Sequence, residues 1–411
     1  MHRSALKHQP PSHRRPRGLC AMLMVLCGLI ILVSPPSLAD DKVTAIQGAD
    51  IYTITSGIIR NGTLLIKDGR IWKLGSGLAI PKGAKVIKAQ GQIVMPGLVA
   101  IRGNLGESGG GRLADILDPF SQAVSMALAS GVTSVFTRGA VIKPTYGDLE
   151  GMLLQETTLQ NINFSGWRSR TELLMSLRSA RAYLQDLTQH QREQAAGKKI
   201  PPPQPPRGAS QYLPLLKGER TALVTGISAG QILAVLELVD EFGIKMIING
   251  AIEGWAVAEE IAKRKVAVAM TPRHKLDADN DSATPSESNV ENAAILKRAG
   301  VQLAIIPPSP SFTSSTGGIA GRDLMTLPLE AAFAIGGGLD EQTALEAITI
   351  TPARLLGIDK RVGSLQPGKD ADIIILDGHP FHYNSFVQTT IINGKVLYEK
   401  DKSTYFSHIQ H

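Results

Sequence analysis

Cysteine is nearly missing from this chain of 411 residues. There are two, Cys20 and Cys27, and both fall within the first 39 residues. If that segment is removed on export, what remains has no thiol. Disulfide staples, thiolate nucleophiles and cysteine metal ligands are then all excluded. Histidine is scarce as well. Of nine in the chain, only His190 and His274 lie between residues 96 and 360. Charge of one sign is also lacking once the N-terminus is set aside. Residues 1–39 carry five Lys/Arg and no Asp/Glu, so the formal charge of +7 falls to 38 minus 36, or +2, for the remainder. No nucleic-acid or anionic-membrane partner follows from so small a balance. No repeat at solenoid spacing is visible.

The first 39 residues have the layout of a secretory signal peptide. A basic "MHRSALKHQPPSHRRPRG" leads into the 15-residue apolar run "LCAMLMVLCGLIILV", and Ser37 and Ala39 stand as small residues before a cut. The run is short of the roughly 20 residues that a spanning helix needs. The expectation is an exported, periplasmic protein without a membrane anchor after cleavage.

The remaining composition is globular, with 43% hydrophobic and 19% charged residues over the whole chain. Residues 43–95 read as short strands with tight turns. "GTLLIKDGRIWKLG" places apolar runs on both sides of Asp68-Gly69, a hairpin signal, and "TTIINGKVLYEK" repeats the device at Asn393-Gly394. Strand-rich ends flanking a long middle imply one small β-module built from both. The middle, about 97–360, alternates strands such as "GVTSVFT" (131–137), "TALVTG" (221–226) and "VAVAM" (266–270) with helices, one of them near 228–242. Continuous apolar strands alternating with helices argue a parallel sheet covered by helices, and the length suits an eightfold barrel. "GKKIPPPQPPRG" (197–208) breaks the rhythm and reads as an extended surface insertion.

Three stretches carry a family resemblance. "GQIVMPGLV" leads into the first barrel strand. "ALEAITITPARLLGIDKRVGSLQPGKDADIIILDGHPF" forms a C-terminal signature. "VLELVDEFGIKMIINGAIEGWAVAEEIAK" and "VAVAMTPRHK" match the later barrel units. On these residues the chain resembles the amidohydrolase superfamily, and most closely its imidazolonepropionase-like branch. The resemblance implies an α/β fold: a (β/α)₈ TIM-type barrel over 96–360, plus a small β-sandwich from 40–95 and 361–411. It also implies metal-activated hydrolysis of C–N bonds, with one or two divalent ions, typically zinc, held by histidines and carboxylates at the C-terminal ends of the strands.

Carried over position by position, that metal site is missing. The His-x-His after the first strand falls on Arg102 and Asn104. The fifth-strand histidine falls on Thr225, the sixth-strand histidine on Gly250, and the eighth-strand aspartate on Pro308. Two barrel histidines are too few for a site that needs four. A guanidinium at Arg102 stays protonated and repels a divalent cation at contact distance. The expectation is therefore no metal, and no catalytic residue of the family type.

Arg102 either replaces the missing metal charge and binds an anion, or pairs with a nearby carboxylate. Arg273 and His274, with Lys275 in the loop "TPRHKL", either bind a ligand carboxylate or form a solvated charge cluster. The glycine-rich "GESGGG" (106–111) lacks P-loop spacing and reads as a loop over the mouth. The serines between 309 and 315 read as a polar loop, since a serine nucleophile needs a base and an orienting acid. His379 and His382 are three apart, half of a metal site by spacing alone; in the resembling family that segment lies far from the chemistry. Three functions remain open. The first is a non-catalytic partner of an active relative, in a hetero-oligomer or homo-oligomer. The second is a hydrolase with a non-standard site for a cyclic amide or anionic substrate. The third is a periplasmic binder of a small-molecule ligand.

Overall fold

Strand β1 (Thr44–Tyr52) organises the N-terminal part. Its first half pairs in parallel with β4 (Lys85–Lys88), and its second half with β5 (Ile93–Pro96). The change of partner falls at a register irregularity around Gly48, whose φ is +86°. A strand that switches neighbours at a bulge turns one continuous ladder into two layers. On its other edge β1 pairs antiparallel with β2 (Ile58–Lys67), and β2 with β3 (Arg70–Ser76). The Asp68-Gly69 turn between β2 and β3 has φ of 52° and 73°, the left-handed pair that a two-residue hairpin requires.

The computed structural model describes residues 43–107, 110–111, 113–149, 151–156, 159–273, 288–307 and 326–404. Residues 42–411 form one compact unit. The expected export segment, the serines between 309 and 315, His408 and His411 lie outside the described residues.

Seven described strands run as barrel staves. β6 (Leu98–Ala100) pairs in parallel with β7 (Val132–Thr137). Between them and the rest, the chain makes two antiparallel strands, β8 (Ala140–Ile142) and β9 (Leu153–Gln155), instead of another parallel stave. The parallel order then resumes through β10 (Leu159–Ile162), β11 (Thr221–Gly226), β12 (Met246–Gly250), β13 (Ala267–Met270) and β14 (Leu303–Ile305). Helices intervene, among them Gln122–Ala129, Ala229–Phe242 and Asn292–Arg298. Ser228 caps the second of these through Gln231 N, and Gly243 ends it at φ 66°. The architecture is α/β: a TIM-type barrel joined to a β-sandwich. Residues of alternate strand positions, including Val99, Leu159, Ile247, Ala269 and Ala304, make the barrel's inner core.

The C-terminal strands complete the sandwich. β15 (Ile373–Leu376) pairs with β5, β16 (Val387–Ile392) with β15, and β17 (Lys395–Glu399) with β16. Both chain ends therefore share one hydrogen-bonded sheet. The second hairpin turns at Asn393-Gly394 with φ of 49° and 75°.

Two features were not read from the sequence. One is the 30-residue helix Gly166–Ala195, whose seam is Leu173, Leu177 and Ala180. Its Arg178 Nε lies 2.7 Å from Glu241 Oε1 on the neighbouring helix. The proline-rich segment follows it without regular structure and mostly exposed, as expected, and Ile200 O is 3.0 Å from His190 Nε2.

The other is Lys143, just past β8 and 1% exposed in its side chain. Its Nζ is 2.8 Å from Asp370 Oδ2 and 2.8 Å from Asp372 Oδ2, and it donates to Asn393 Oδ1 at 2.6 Å. Arg361 adds a second cation to Asp370 at 2.6 Å. Burial alone would raise the Asp370 carboxyl, but Lys143 and Arg361 outweigh it and hold the pKa below the ordinary carboxylate value. Replacing Lys143 with Met should cost about 3–5 kcal/mol in denaturant unfolding, since buried Asp372 loses its cation and Asp370 is left with Arg361 alone. The depressed folded pKa also sets a pH dependence. Asp370's contribution is complete above its unfolded value of about 3.9 and is lost as pH falls through the lower folded value, so this acid limb should shrink in the Met variant.

Candidate functional site

The mouth of the barrel is built where the ladders end. Leu223 pairs with Ile247, and Thr225 with Asn249, in the parallel register of β11 and β12. Ile247 belongs to the inner core and Leu223 packs against it. Two residues on, Thr225 and Asn249 share that inward face. Asn249 Nδ2 stands 3.4 Å from Thr225 Oγ1. The fifth and sixth strands thus present a hydroxyl and a carboxamide.

Gly250 falls on the other face. Its neighbours in alternation, Ile248 and Val224, belong to the cluster that packs against the helices. Its φ is +108°, so the position favours glycine on conformational grounds. The inward side chain of the sixth strand is therefore Asn249, one residue before the position read from sequence. Strands buried on both faces carry no alternation that fixes this register in advance.

At the first strand, Ile101 is the inward residue and Arg102 follows it, exposed. Among the described residues Arg102 makes no ion pair, so the carboxylate partner expected for it is not seen there. Asn104 is half-buried, and its Oδ1 accepts from Gly106 N at 2.7 Å. Glu107 is buried and accepts from Leu105 N at 2.9 Å. Ser121 Oγ donates to Leu105 O at 2.7 Å. This loop is braced on itself.

Arg273, after β13, does not stand free in the mouth. It is ion-paired with the fully buried Glu330 of helix Thr326–Gly336, and its guanidinium lies 4.9 Å from the centroid of the Phe333 ring. The structure ties it to that helix. His274 and Pro308 lie outside the described residues. His190 sits on the long helix, bonded to the proline-rich loop, away from the strand ends. His379 Nε2 is 2.9 Å from Glu341 Oε1, and its ring is 5.0 Å from that of His382.

These residues do not fit the divalent ion that the fold family implies. The described strand ends offer Arg102, Asn104, Thr225 and Asn249, none of them an imidazole or a carboxylate, and the nearby Glu107 is a single buried carboxylate. Among the described residues no group of three or more His, Cys, Asp or Glu is placed to hold a metal.

Beside this mouth lies a cavity of about 530 Å³ at the ends of β10, β11 and β12. Asn161, Thr225, Gln231 and Asn249 line it, with Arg170 from the first turns of the long helix. Arg170 Nε donates to Phe164 O at 3.1 Å, and its guanidinium stacks 4.9 Å from the Phe164 ring centroid. The helix's N-cap, Ser165, makes no side-chain cap bond; its hydroxyl donates to Asn163 Oδ1 at 2.6 Å. None of these residues was singled out in sequence except Thr225. The recoverable signal was the asparagines inside or just after two apolar strands, Asn161 and Asn163 at β10 and Asn249 in β12.

Comparison with known proteins agrees with this architecture. The model of the amidohydrolase family matches residues 217–397. This match supports membership of the amidohydrolase superfamily. A dihydroorotase from Anaeromyxobacter dehalogenans is 23% identical, over 87% of this chain and 98% of that protein. An imidazolonepropionase from Sphingopyxis alaskensis is 23% identical, over 78% of this chain and 87% of its own length. Among solved structures, an amidohydrolase from Thermotoga maritima superposes with a TM-score of 0.70 at 22% identity, covering 87% of this chain and all of that one. That superposition shows the shared fold.

The two arginines should separate cleanly by mutation. Arg102→Ala should leave stability within about 0.5 kcal/mol in urea unfolding, since an exposed side chain with no ion pair among the described residues is removed. Arg273→Ala should cost about 1–3 kcal/mol, because the ion pair of its guanidinium with buried Glu330 is lost.

Proposed function

We propose that this chain is an exported, non-catalytic amidohydrolase-type barrel that acts as a partner or regulator of a metal-loaded relative. By descent it is a hydrolase of carbon–nitrogen bonds. One observation carries the non-catalytic reading: the strand-end positions Thr225 and Asn249 hold a neutral hydroxyl and amide bonded to each other, beside a first-strand loop bearing Arg102. Metal-activated hydrolysis needs a bound water ionised near neutral pH by imidazole- and carboxylate-held ions. These side chains are the wrong chemistry for it.

The partner role is supported by apolar side chains left outside. Phe120 is 61% exposed and meets Tyr146 edge-on, with centroids 5.2 Å apart. Trp167 is 75% exposed at the start of the long helix. Exposed aromatics of this kind are common anchors of protein interfaces. Export rests on the N-terminal layout alone. No helix among the described residues is long and apolar enough to cross a membrane. A second reading, a periplasmic binder of small ligands, is favoured by the amide-lined cavity.

Metal content decides the main reading. The chain, produced in its native host, purified without chelator and then resolved from a copurifying amidohydrolase-type relative, should carry metal near background. One or two zinc, manganese or iron ions per chain would sink the proposal and return the protein to the active hydrolases.

A further inference from the structure

The cavity beside the barrel mouth has a definite chemical character. Its volume, about 530 Å³, suits a small molecule. Its described lining holds one cation, Arg170, and no carboxylate or imidazole. The remaining polar groups are neutral amides and hydroxyls. Three lining side chains are partly used by the protein in a way that leaves specific atoms to spare. Gln231 Oε1 accepts from Ile227 N at 3.0 Å, which leaves its amide NH₂ as a donor. Asn249 gives its Nδ2 to Thr225, which leaves Oδ1 as an acceptor. Arg170 is fixed at Nε by Phe164 O and at its face by the Phe164 ring, which leaves the two Nη groups as a fork of donors.

We infer that this cavity binds a small monocarboxylate bearing an amide or hydroxyl group, with Arg170 pairing the carboxylate. The fork geometry of a guanidinium matches the two oxygens of a carboxylate. One cation balances one negative charge. A phosphate dianion would leave the second charge uncompensated in a site with no other cation. The donor at Gln231 and the acceptor at Asn249 then suit a group that both accepts and donates, as amides and hydroxyls do. Thr225 is shared between this cavity and the metal-less strand ends. The inference rests on the reading above only in that this end of the barrel is taken to hold no metal.

The test is a set of matched pairs: N-acetyl-alanine, N-acetyl-serine and N-acetyl-glutamine, each against its own primary amide. Binding is measured by calorimetry on the chain as isolated from its native host. At least one acid should bind saturably and about tenfold or more tighter than its amide, as a charge-assisted bond requires. Arg170→Met should abolish that preference, and Arg170→Lys, which keeps the charge without the fork, should keep only part of it. Equal binding of acid and amide overturns the inference. So does the absence of saturable binding at millimolar concentration, or an acid preference that survives Arg170→Met. The contrast within each pair on the unmodified chain stands even if a variant fails to fold. Metal found on the chain would fail the earlier reading in a separate assay. Acids binding no better than amides would fail this inference alone.

Discussion

A single buried ammonium ties the two halves of this molecule together. Lys143 leaves the barrel wall at the end of β8 and reaches two carboxylates and an amide in the β-sandwich. Charges so deeply buried persist only when paired and hydrogen-bonded, and the surroundings supply both conditions. Asp372 Oδ1 accepts from Asn393 N at 2.9 Å, and Ala371 N donates to Gly69 O at 2.8 Å. The two hairpin turns are pressed together at the same place. A Cβ on Gly69 would come within 2.9 Å of Asn393 O, and one on Gly394 within 3.0 Å of Gly69 Cα. Glycine is needed there for contact as well as for its left-handed backbone. Four segments distant in sequence are thus pinned to one point.

The string "GKDAD" acquires its meaning from this arrangement. Asp370 and Asp372 hold Lys143. Lys369 turns away from them, and its Nζ donates to Ser364 Oγ at 2.6 Å and to the carbonyls of Asp359 and Val362. Desolvation lowers the Lys369 pKa. All three side chains do structural work between the barrel and the sandwich. The matched family segment, 217–397, includes them. What makes the chain recognisable therefore lies in joints of the scaffold. What would make it a metal hydrolase lies in a few inward side chains at strand ends. Those can change while the ladder stays intact, as the unbroken pairing of Thr225 with Asn249 shows. Fold and chemistry separate at this level.

Much of this was legible in the sequence, for local reasons. Asp68-Gly69 and Asn393-Gly394 announce their hairpins because two residues fix the turn type. Helix 229–242 announces itself through Ser228 before it and Gly243 after it. Other features depend on contacts that no local pattern encodes. The helix Gly166–Ala195 is polar over most of its surface and buries only four residues, so its apolar seam is thin. The strands β8 and β9 have three residues each, too short to show a period. Lys143 reads as an ordinary surface lysine until residues 370–372 are folded against it. The step from Gly250 to Asn249 has the same origin, since an apolar strand covered on both faces does not reveal which residues turn inward.

The mouth is also consistent with itself in electrostatic terms. A site designed around a divalent ion and then emptied leaves imidazoles and carboxylates facing one another, and each anion left without its metal carries a desolvation cost. The side chains at the described strand ends, Asn104, Thr225 and Asn249, are neutral; in the first-strand loop the buried Glu107 accepts from Leu105 N through Oε2, while its Oε1 has no hydrogen-bond partner among the described residues. Asn249 meets Thr225, Asn104 meets the backbone of its own loop, and Gln231 meets Ile227 N. Arg273 has been drawn into an ion pair with a buried glutamate on a flanking helix. The cavity beside them is lined by amides and hydroxyls, with Arg170 as the one cation among the described residues that line it. This chemistry is what the proposed non-catalytic reading rests on.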